Sequence, residues 1–338
     1  MPDRNVESAA AFSLAELEAA AELVYGVLPP TPQYAWPLLA DATGCEVWVK
    51  HENHTPTGAF KVRGGLVMMA RLHEAGRLPA GLVTATRGNH GQSIPFAARR
   101  YGVPVTVLVP RGNSHEKNRS MQAWGAELIE HGDDFDAARE QAARLAAERG
   151  LRFAPSFHPA LVLGVATYAL ELFRAVASLH TVYVPIGMGS GICGLIRTRD
   201  LLGLDTEIVG VVSAHADAFA RSLAAGRVVE TETAVTFADG MACRVPMPEA
   251  FDIVRGGAAR IVAVTDDEVA DAMRELYRST HNVAEGAGAA ALAALRREAA
   301  RQQGRRVAVI LTGGNVDADV FAQVLSGVTP AAGGARAS

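Results

Sequence analysis

Segments typical of β-strands alternate with segments typical of helices along most of this chain. Short apolar, β-branched runs predict strands at 46–50, 81–85, 105–109, 127–130 and 151–153, and helical patterns predict helices at 13–27, 60–75, 91–101, 116–124 and 133–149. Further strands are predicted at 181–185, 207–212 and 307–311. Such alternation predicts an α/β fold whose largely parallel sheets are buried on both faces.

Composition and charge limit the kinds of partner and the cellular compartment that we expect for this protein. The 338 residues are 49% hydrophobic and 20% charged, and a net charge of −4 gives no basic field for nucleic acid or anionic lipid. No apolar run of about 18 residues predicts a membrane span, and residues 1–20 lack the pattern of a signal peptide. The cysteines, Cys45, Cys193 and Cys243, form no metal-binding pattern and no full disulfide framework, which is typical of a reducing compartment. We therefore expect a cytoplasmic protein with a small-molecule partner, and no nucleic-acid or membrane partner.

A lysine stands in the motif Pro-Thr-Gly-Ala-Phe-Lys-Val-Arg-Gly at 56–64, between a predicted strand and a predicted helix. Lysines are scarce in this chain, which has only Lys50, Lys61 and Lys117. A lysine in an apolar niche at a helix start loses its proton readily and can form a Schiff base. The alternative is a surface lysine near a helix N-terminus, and the flanking Phe60 and glycines favour the functional interpretation of Lys61.

A second motif, Thr-Ala-Thr-Arg-Gly-Asn-His-Gly-Gln at 84–92, leads from a predicted strand into a predicted helix. Such a turn offers backbone N–H groups to an anion, and the helix dipole adds to the attraction. Asn89 can bond an aromatic hydroxyl, while Gly88 and Gly91 allow a ligand to approach closely. The alternative is a capped strand–turn–helix corner in which Asn89 is structural.

A glycine-rich loop at 185–194 follows the predicted strand 181–185. Consecutive N–H groups at a helix N-terminus form a phosphate cradle. The loop also contains Gly189-x-Gly191-x-x-Gly194, a dinucleotide fingerprint, so a nicotinamide-dependent dehydrogenase is an alternative. That fingerprint needs an acid at the end of the next strand, where this chain has no carboxylate before Asp217. A single phosphate is therefore the favoured ligand.

Two shorter segments complete the set of candidates. Thr312, in the segment 311–317, follows a buried strand and is predicted to face the crevice at the carboxyl edge of the sheet. Glu285 precedes a helix of small residues at 286–289. The alternatives are an ordinary turn after the strand for Thr312, and for Glu285 an acid favoured by the helix dipole.

In this order and at these distances, the segments resemble the serine/threonine dehydratase and serine racemase family, over residues 28–324. The resemblance implies a fold-type II pyridoxal-phosphate-dependent enzyme of the tryptophan-synthase β-like group, with two domains of open, mostly parallel twisted sheets. It implies a large cofactor-binding domain at 1–75 and 155–328, with a small domain at 76–154 inserted in it. We expect a disordered tail at 329–338 and a homodimer.

The resemblance implies pyridoxal 5'-phosphate as the cofactor and gives the candidate residues their roles. Lys61 matches the catalytic lysine that holds the cofactor as a Schiff base, and Asn89 matches the asparagine that bonds the ring hydroxyl. Phe60 and Gly240 match residues near the two faces of the ring. Thr312 matches the residue that contacts the pyridine nitrogen, and Glu285 matches a glutamate at the cofactor site. The phosphate loop falls on Gly187, Met188, Gly189, Ser190 and Gly191, and the substrate-binding turn falls on Thr86, Arg87, Gly88 and His90.

The chain departs from the family pattern in the substrate turn and the phosphate loop. Arg87 stands where the racemases have a serine that acts as the second acid/base, and an arginine cannot deprotonate for that purpose. Racemisation is therefore disfavoured. Met188 and Ser190 interrupt the tetraglycine loop of the family. Ser213 and Phe219 occupy positions where some members have metal-binding carboxylates, so we expect no metal.

The resemblance implies an ammonia-lyase that converts a β-hydroxy amino acid of the threonine/serine type to a 2-oxo acid and ammonia. Alternative substrates are bulkier 3-hydroxy amino acids such as phenylserine, or a hydroxylated diamino acid. Alternative activities are serine racemisation and β-replacement, and a cofactor-binding protein without turnover is a third possibility. No further domain is expected after residue 329, so we expect no control by an end product.

Overall fold

The structure is a computed structural model that describes residues 12–332, and these residues form two sheets. The strands in chain order are β1 (Gln33–Ala35), β2 (Glu46–His51), β3 (Leu82–Ala85), β4 (Val105–Val109), β5 (Ala126–Glu130), β6 (Arg152–Phe153), β7 (Thr181–Pro185), β8 (Glu207–Ser213), β9 (Arg260–Val264) and β10 (Arg306–Leu311). The six-stranded sheet has the order β1-β2-β10-β7-β8-β9, and the four-stranded sheet has the order β5-β4-β3-β6. Strand β1 pairs antiparallel with β2, and the other pairings are parallel.

Helices cover both sheets. They are α1 (Leu14–Tyr25), α2 (Pro37–Thr43), α3 (Lys61–Glu74), α4 (Asn89–Ala98), α5 (His115–Ala123), α6 (Phe135–Arg149), α7 (Pro159–Ala175), α8 (Ser190–Leu201), α9 (Ala218–Ala225), α10 (Pro248–Gly257), α11 (Asp266–Thr280), α12 (Gly286–Arg297), α13 (Ala299–Gln302) and α14 (Ala318–Leu325). Capping boxes at Ser13 and Thr265 begin α1 and α11, and Gly150 ends α6 in the left-handed conformation. Local chemistry therefore fixes several helix ends.

The two faces of the six-stranded sheet are buried by different helices. Helix α8 packs on β7 and β8, and α7 packs on α8 in the largest apolar cluster. Helix α12 packs on the same sheet in a second cluster, with α11 outside it. Helix α6 covers β3 and β4 of the smaller sheet. Parallel strands that are buried on both faces explain why these segments are almost wholly apolar.

Helix α3 joins the two sheets and carries Lys61 at its first residue. It packs against α7 of the larger sheet and against α4, which follows a strand of the smaller sheet. The crossing with α7 is close, since a Cβ on Gly164 would lie 2.3 Å from the backbone oxygen of Arg63. The start of α3 therefore opens into the crevice between the two sheets.

The α/β class with mostly parallel sheets is confirmed, and each predicted strand and helix lies within a few residues of an observed one. The prediction did not include strands β1 and β9 or helices α2, α7, α9, α10, α11, α13 and α14. All strands of the smaller sheet lie between residues 82 and 153, inside the segment 76–154 that was predicted as the inserted domain. The domain boundaries themselves stay a prediction.

The two ends of the chain are only partly described. The hydroxyl of Thr329 donates to Asp267 at 2.5 Å and Pro330 is buried, so these residues pack against the folded chain although a disordered tail was predicted from 329. Residues 333–338 of that predicted tail lie outside the described residues, as do residues 1–11 of the segment predicted to lack a signal peptide. Between residues 12 and 332, no helix has the length and apolar character to cross a bilayer.

Candidate active site

A cavity of about 130 Å³ lies in the crevice between the two sheets. Its walls come from the ends of β7, β10 and β3 and from the first residues of α3, α4 and α8. The structure brings together in this cavity every residue that was predicted for the site. Those residues are Phe60, Lys61, Thr86, Arg87, Gly88, Asn89, His90, Gly187, Met188, Gly189, Ser190, Gly191, Gly240, Glu285 and Thr312.

The Lys61 amine faces the start of α8. Its Nζ donates to Ser190 Oγ at 3.0 Å and lies 5.0 Å from the centre of the Phe60 ring. Lys61 as a whole residue is partly exposed, but burial of its ammonium group lowers the pKa to about 8. No ion pair with a carboxylate offsets that burial among residues 12–332. The amine is therefore available as a nucleophile and a base near neutral pH.

The glycine loop from β7 to α8 has the geometry of a phosphate cradle. Gly189 is the N-cap of α8 with a φ of 97°, a conformation that favours glycine. A Cβ on Gly187 would lie 2.2 Å from the backbone oxygen of Gly240. Tyr168 on α7 holds the loop from behind, because its hydroxyl donates to the backbone oxygen of Gly191 at 3.0 Å. The loop therefore presents the N-terminus of α8 to the cavity without side-chain obstruction.

Asn89, at the start of α4, is fixed by two side chains. Its Nδ2 donates to Glu285 Oε1 at 2.6 Å, and its Oδ1 accepts from Asn315 Nδ2 at 2.8 Å. Asn315 is held in turn, since the same Nδ2 donates to the backbone oxygen of Thr57 at 2.8 Å. The orientation of the Asn89 amide is therefore set by two residues from the C-terminal part of the chain.

An ion cluster beside Asn89 also lines the cavity. Lys117 Nζ lies 2.7 Å from Asp239 Oδ2 and 3.3 Å from Glu285 Oε2. Burial alone would lower the pKa of the Lys117 ammonium, but the two carboxylates raise it. Burial raises the pKa of Glu285, although Lys117 opposes that shift. The Lys117 charge is therefore neutralised within the protein.

Thr312 directly follows β10 and is 3% exposed. Its backbone oxygen accepts from the N–H of Phe60 at 3.0 Å, which joins the end of β10 to the start of α3. Its hydroxyl makes no hydrogen bond to another residue of the described part of the chain and lines the cavity. The Phe60 ring packs edge-on against Tyr168 with the ring centres 6.1 Å apart, which fixes the ring beside the lysine.

The turn from β3 to α4 contains the residues that were predicted to bind substrate. Thr86 Oγ1 accepts the N–H of Gly88 at 2.9 Å and of Gly91 at 3.4 Å, so its hydroxyl shapes the turn itself. Burial lowers the pKa of His90 to about 3, with a smaller effect from Lys61, so its imidazole is neutral. Arg87 is partly buried and has no hydrogen bond or ion pair with another residue of 12–332.

Sequence reasoning missed several residues that the structure places at the site, among them Tyr168, Lys117, Asp239 and Asn315. Lys117 carried a signal that was available, because the chain has so few lysines. Asn315 lay inside the segment 311–317 that was singled out for Thr312. Tyr168 had no such signal, since its contact with the glycine loop joins residues far apart in sequence.

These residues fit pyridoxal phosphate. Its aldehyde needs a lysine of low pKa, which Lys61 provides. Its anionic phosphate needs an open helix N-terminus, which the glycine loop provides, and its aromatic ring needs a flat neighbour, which is Phe60. The buried Oε2 of Glu285 makes no hydrogen bond and is balanced by the charge of Lys117, whose Nζ lies 3.3 Å away. In the described part of the chain, no group of His, Cys, Asp and Glu side chains is arranged to hold a metal ion.

Comparison with known proteins agrees with this geometry. The chain is 32% identical to the L-threonine ammonia-lyase of Thermotoga maritima over 316 residues, covering 93% of this chain and 78% of that protein. It is 34% identical to the L-threo-3-hydroxyaspartate ammonia-lyase of a Pseudomonas species over 310 residues, covering 91% and 97%. The solved structure of processed threonine deaminase isoform 2 from Solanum lycopersicum is similar with a TM-score of 0.85 and 27% identity, covering 94% of each chain.

The sequence model of one family spans most of the chain. That family is described as pyridoxal-phosphate dependent enzyme, and its model matches residues 24–313. The match covers Lys61, the glycine loop and Thr312, and it excludes the nicotinamide alternative that the glycine fingerprint had raised. The chain therefore belongs to the family of pyridoxal-phosphate-dependent enzymes and has their fold-type II architecture.

Proposed function

We propose that the protein is an ammonia-lyase that removes water and then ammonia from a β-hydroxy amino acid of the threonine/serine type. The observation that carries the proposal is the buried, low-pKa amine of Lys61 beside the phosphate cradle, with Thr312, a neutral hydroxyl residue, lining the same cavity. The relatives named L-threonine ammonia-lyase and L-threo-3-hydroxyaspartate ammonia-lyase support it, because both names specify β-hydroxy amino acids.

Each predicted residue has a place in this proposal. Lys61 would hold the cofactor, and Asn89 and Thr312 would bond the ring hydroxyl and the ring nitrogen. Phe60 and Gly240 would lie at the two ring faces, and Glu285 orients Asn89. The phosphate would be bound by Gly187, Met188, Gly189, Ser190 and Gly191, and the substrate by Thr86, Arg87, Gly88 and His90.

These residues would hold pyridoxal phosphate, which would supply an electron sink for Cα of the amino acid. The Lys61 amine then removes the Cα proton, and its pKa of about 8 leaves part of it uncharged, and so able to act as a base, near neutral pH. Loss of the β-hydroxyl gives an enamine, which hydrolyses to the 2-oxo acid and ammonia. Thr312 would offer the ring nitrogen a neutral hydroxyl in place of a carboxylate, which favours elimination over transamination.

Release of 2-oxo acid from a panel of 3-hydroxy amino acids tests the proposal. L-Threonine, L-serine, phenylserine and threo-3-hydroxyaspartate are incubated with the holoenzyme, and the 2-oxo acid and ammonia are measured together. Equal amounts of both products support elimination. D-Serine formed from L-serine would indicate a racemase instead, and a thioether formed only with an added thiol would indicate β-replacement. No product from any substrate would contradict the proposal.

We also propose a homodimer in which β1 and α2 contribute to the interface. Tyr34 is 53% and Leu38 is 55% exposed, and strand β1 leaves one edge of the larger sheet open. Light scattering should give twice the chain mass, and Leu38→Glu should shift it towards one chain mass. The exposed Leu204→Glu is a matched control. A wild-type protein with one chain mass would contradict the dimer.

Two further observations support the proposed cellular compartment and the proposed domain organisation. The cysteines Cys45, Cys193 and Cys243 are buried and unpaired, which supports a reducing, cytoplasmic compartment. The smaller sheet lies wholly within 76–154, which supports two domains with the boundaries given by the resemblance. The cofactor crevice would then lie between them.

A further inference from the structure

We infer that the substrate carries a second acidic group on its side chain, and that the guanidinium of Arg87 binds that group. The inference rests on the proposed function, because it names the substrate class of the same site. It makes the substrate a 3-hydroxy amino acid with a side-chain carboxylate, of which 3-hydroxyaspartate is the smallest.

Arg87 lies where two cavities meet. It lines the cofactor cavity and also a neighbouring chamber of about 520 Å³. Asp134, which caps α6, and the exposed Glu232 line the same chamber, but no ion pair joins either of them to Arg87. A partly buried guanidinium without a counterion has lost hydration that an anionic ligand would replace with charge-assisted hydrogen bonds.

The other cations near this position are already paired. In the chamber, Arg139 and Arg244 lie 3.3 and 3.4 Å from the carboxylate of Asp136. In the cofactor cavity, Lys117 contacts Asp239 at 2.7 Å. Lys61 is assigned to the cofactor, so Arg87 is the remaining lysine or arginine of these two walls without a carboxylate partner among residues 12–332.

The α-carboxylate of the substrate has a separate anchor. The hydroxyl of Thr86 accepts the N–H groups of Gly88 and Gly91, and this leaves the N–H groups of Asn89 and His90 without a partner among residues 12–332. These two groups are the first of helix α4, where backbone N–H groups and the helix dipole attract an anion. The Arg87 side chain is thus not required for the α-carboxylate.

An unpaired arginine also discriminates against threonine. With threonine bound, the side-chain methyl would be placed towards the guanidinium and would leave it without a hydrogen-bond acceptor. A buried polar group left unpaired in this way disfavours the wrong substrate strongly, whereas a charged hydrogen bond favours the correct one by about tenfold to hundredfold. We therefore expect kcat/KM for threo-3-hydroxyaspartate to exceed that for threonine by at least about tenfold.

The reaction is balanced without an oxidant or reductant. The Cα–H and Cβ–O bonds of 3-hydroxyaspartate break, and the hydroxyl leaves with one proton as water. The enamine becomes an imine, which takes up one water and releases ammonia. The products are a 2-oxo dicarboxylic acid and ammonia, and the side-chain carboxylate bound by Arg87 is retained throughout.

The test compares two substrates in two variants. Kinetics with threo-3-hydroxyaspartate and with L-threonine are measured for the wild type, for Arg87→Gln and for Arg139→Gln. Arg139 is a matched control because its guanidinium pairs with Asp136 and is largely exposed. Arg87→Gln should lower kcat/KM for hydroxyaspartate at least about tenfold more than it lowers kcat/KM for threonine. Most of this loss should come from a higher KM for hydroxyaspartate. Arg139→Gln should not change the ratio.

Three outcomes overturn the inference. Equal losses on both substrates would show that Arg87 binds the α-carboxylate, and unchanged kinetics would show that it faces solvent. A wild-type enzyme that prefers threonine or phenylserine would show that the substrate does not carry a second acidic group.

A binding measurement separates this inference from the proposed function. L-Aspartate and L-alanine carry no β-hydroxyl, so their dissociation constants can be obtained from the visible band of the bound cofactor without elimination. Tighter binding of aspartate, by about tenfold and lost in Arg87→Gln, supports the role of Arg87 even if no 2-oxo acid is released from any substrate. Equal affinity for both amino acids in the wild type overturns it.

Discussion

Burial without a countercharge controls the reactivity of Lys61. The amine has a hydroxyl partner in Ser190 and an aromatic neighbour in Phe60, and neither stabilises the ammonium form as a carboxylate would. The other lysines illustrate the difference, because Lys50 contacts Glu171 and Lys117 contacts Asp239. Burial also lowers the pKa of Lys50, but Glu52 and Glu171 oppose that shift, whereas no carboxylate of residues 12–332 opposes the shift at Lys61.

This difference predicts the pH dependence of cofactor binding to the apoenzyme. Lowering the pKa of Lys61 from 10.5 to about 8 favours its neutral form above that pH. The rate at which the visible band of bound pyridoxal phosphate appears should rise about tenfold per pH unit below pH 8 and level off above it. Stopped-flow absorbance measures this rate.

The contradicting outcome is a rate that keeps rising to pH 10, as expected for a lysine with an ordinary pKa. Lys61→Ala is the control, and it should give a folded protein without the visible band at any pH and without turnover. A Lys61→Ala protein with near-wild-type activity would contradict the assignment of Lys61 as the residue that holds the cofactor.

At the scale of secondary structure elements, Lys117 links helix α5 to the loop and helix that carry Asp239 and Glu285. Helix α5 lies beside the smaller sheet, whereas α12 covers the larger one. Glu285 in turn accepts from Asn89. The ion cluster therefore connects the spacing of the two sheets to the orientation of the asparagine in the cofactor cavity.

We predict that Lys117→Met shifts the acid limb of the pH profile of kcat/KM upwards by about one unit or more. Burial already raises the pKa of Glu285, and without Lys117 the nearby Asp239 carboxylate would raise it further. Glu285 would then be ionised only at higher pH and would accept from Asn89 less well. Arg119→Met, which removes an exposed charge from the same helix, is the control. An unshifted acid limb would reduce Lys117 to a structural role.

The strands, the glycine loop and the lysine motif were predictable because local residue patterns specify them. The alternation of apolar runs gave the parallel strands, and the motif at 56–64 placed Lys61 at a helix start. Helix α7 was not predictable in this way, since it is buried on nearly all sides and has little amphipathic pattern. The partners of Asn89 were also hidden, because Glu285 and Asn315 are distant in sequence and meet only in the folded chain.

The turn after β8 leads to a prediction on metals. Ser213 is buried and its hydroxyl accepts the N–H of His215 at 3.1 Å, and Phe219 is buried in the apolar core. Neither position offers a carboxylate to a divalent cation. EDTA should therefore leave both activity and melting temperature unchanged. A fall in melting temperature on chelation that magnesium or calcium reverses would show that other residues bind a metal.

At the scale of the whole molecule, a buried ion network joins segments that surround the start of α3. Arg63 donates to Glu52 at 2.7 Å and to Glu171 at 2.6 Å, and Lys50 contacts the backbone oxygen of Thr31 at 2.7 Å. The four charged side chains belong to β2, the residue after it, α3 and α7, and each is nearly or fully buried. The two cations and the two anions neutralise each other within the network. Because Arg63 belongs to α3, its bonds to Glu52 and Glu171 hold the helix that carries Lys61 in place.

We predict that Glu52→Gln lowers the free energy of unfolding by about 3–5 kcal/mol, because it leaves part of the buried Arg63 charge uncompensated. Glu46→Gln is the matched control, since Glu46 pairs with Arg306 at 2.8 Å on a half-exposed surface, where an ion pair contributes about 0–1 kcal/mol. Urea denaturation of both variants measures the difference.

The pH dependence identifies the ion pair as the cause. Burial alone would raise the pKa of Glu52, but Arg63 and Lys50 hold it below its usual value. A carboxyl with a lowered pKa in the folded state contributes stability above its unfolded pKa of about 4.3, and that contribution is lost as the pH falls. The gap between the wild type and Glu52→Gln should therefore be full at pH 7 and should shrink below about pH 4. A gap that does not change with pH would point to altered packing instead of a lost charge.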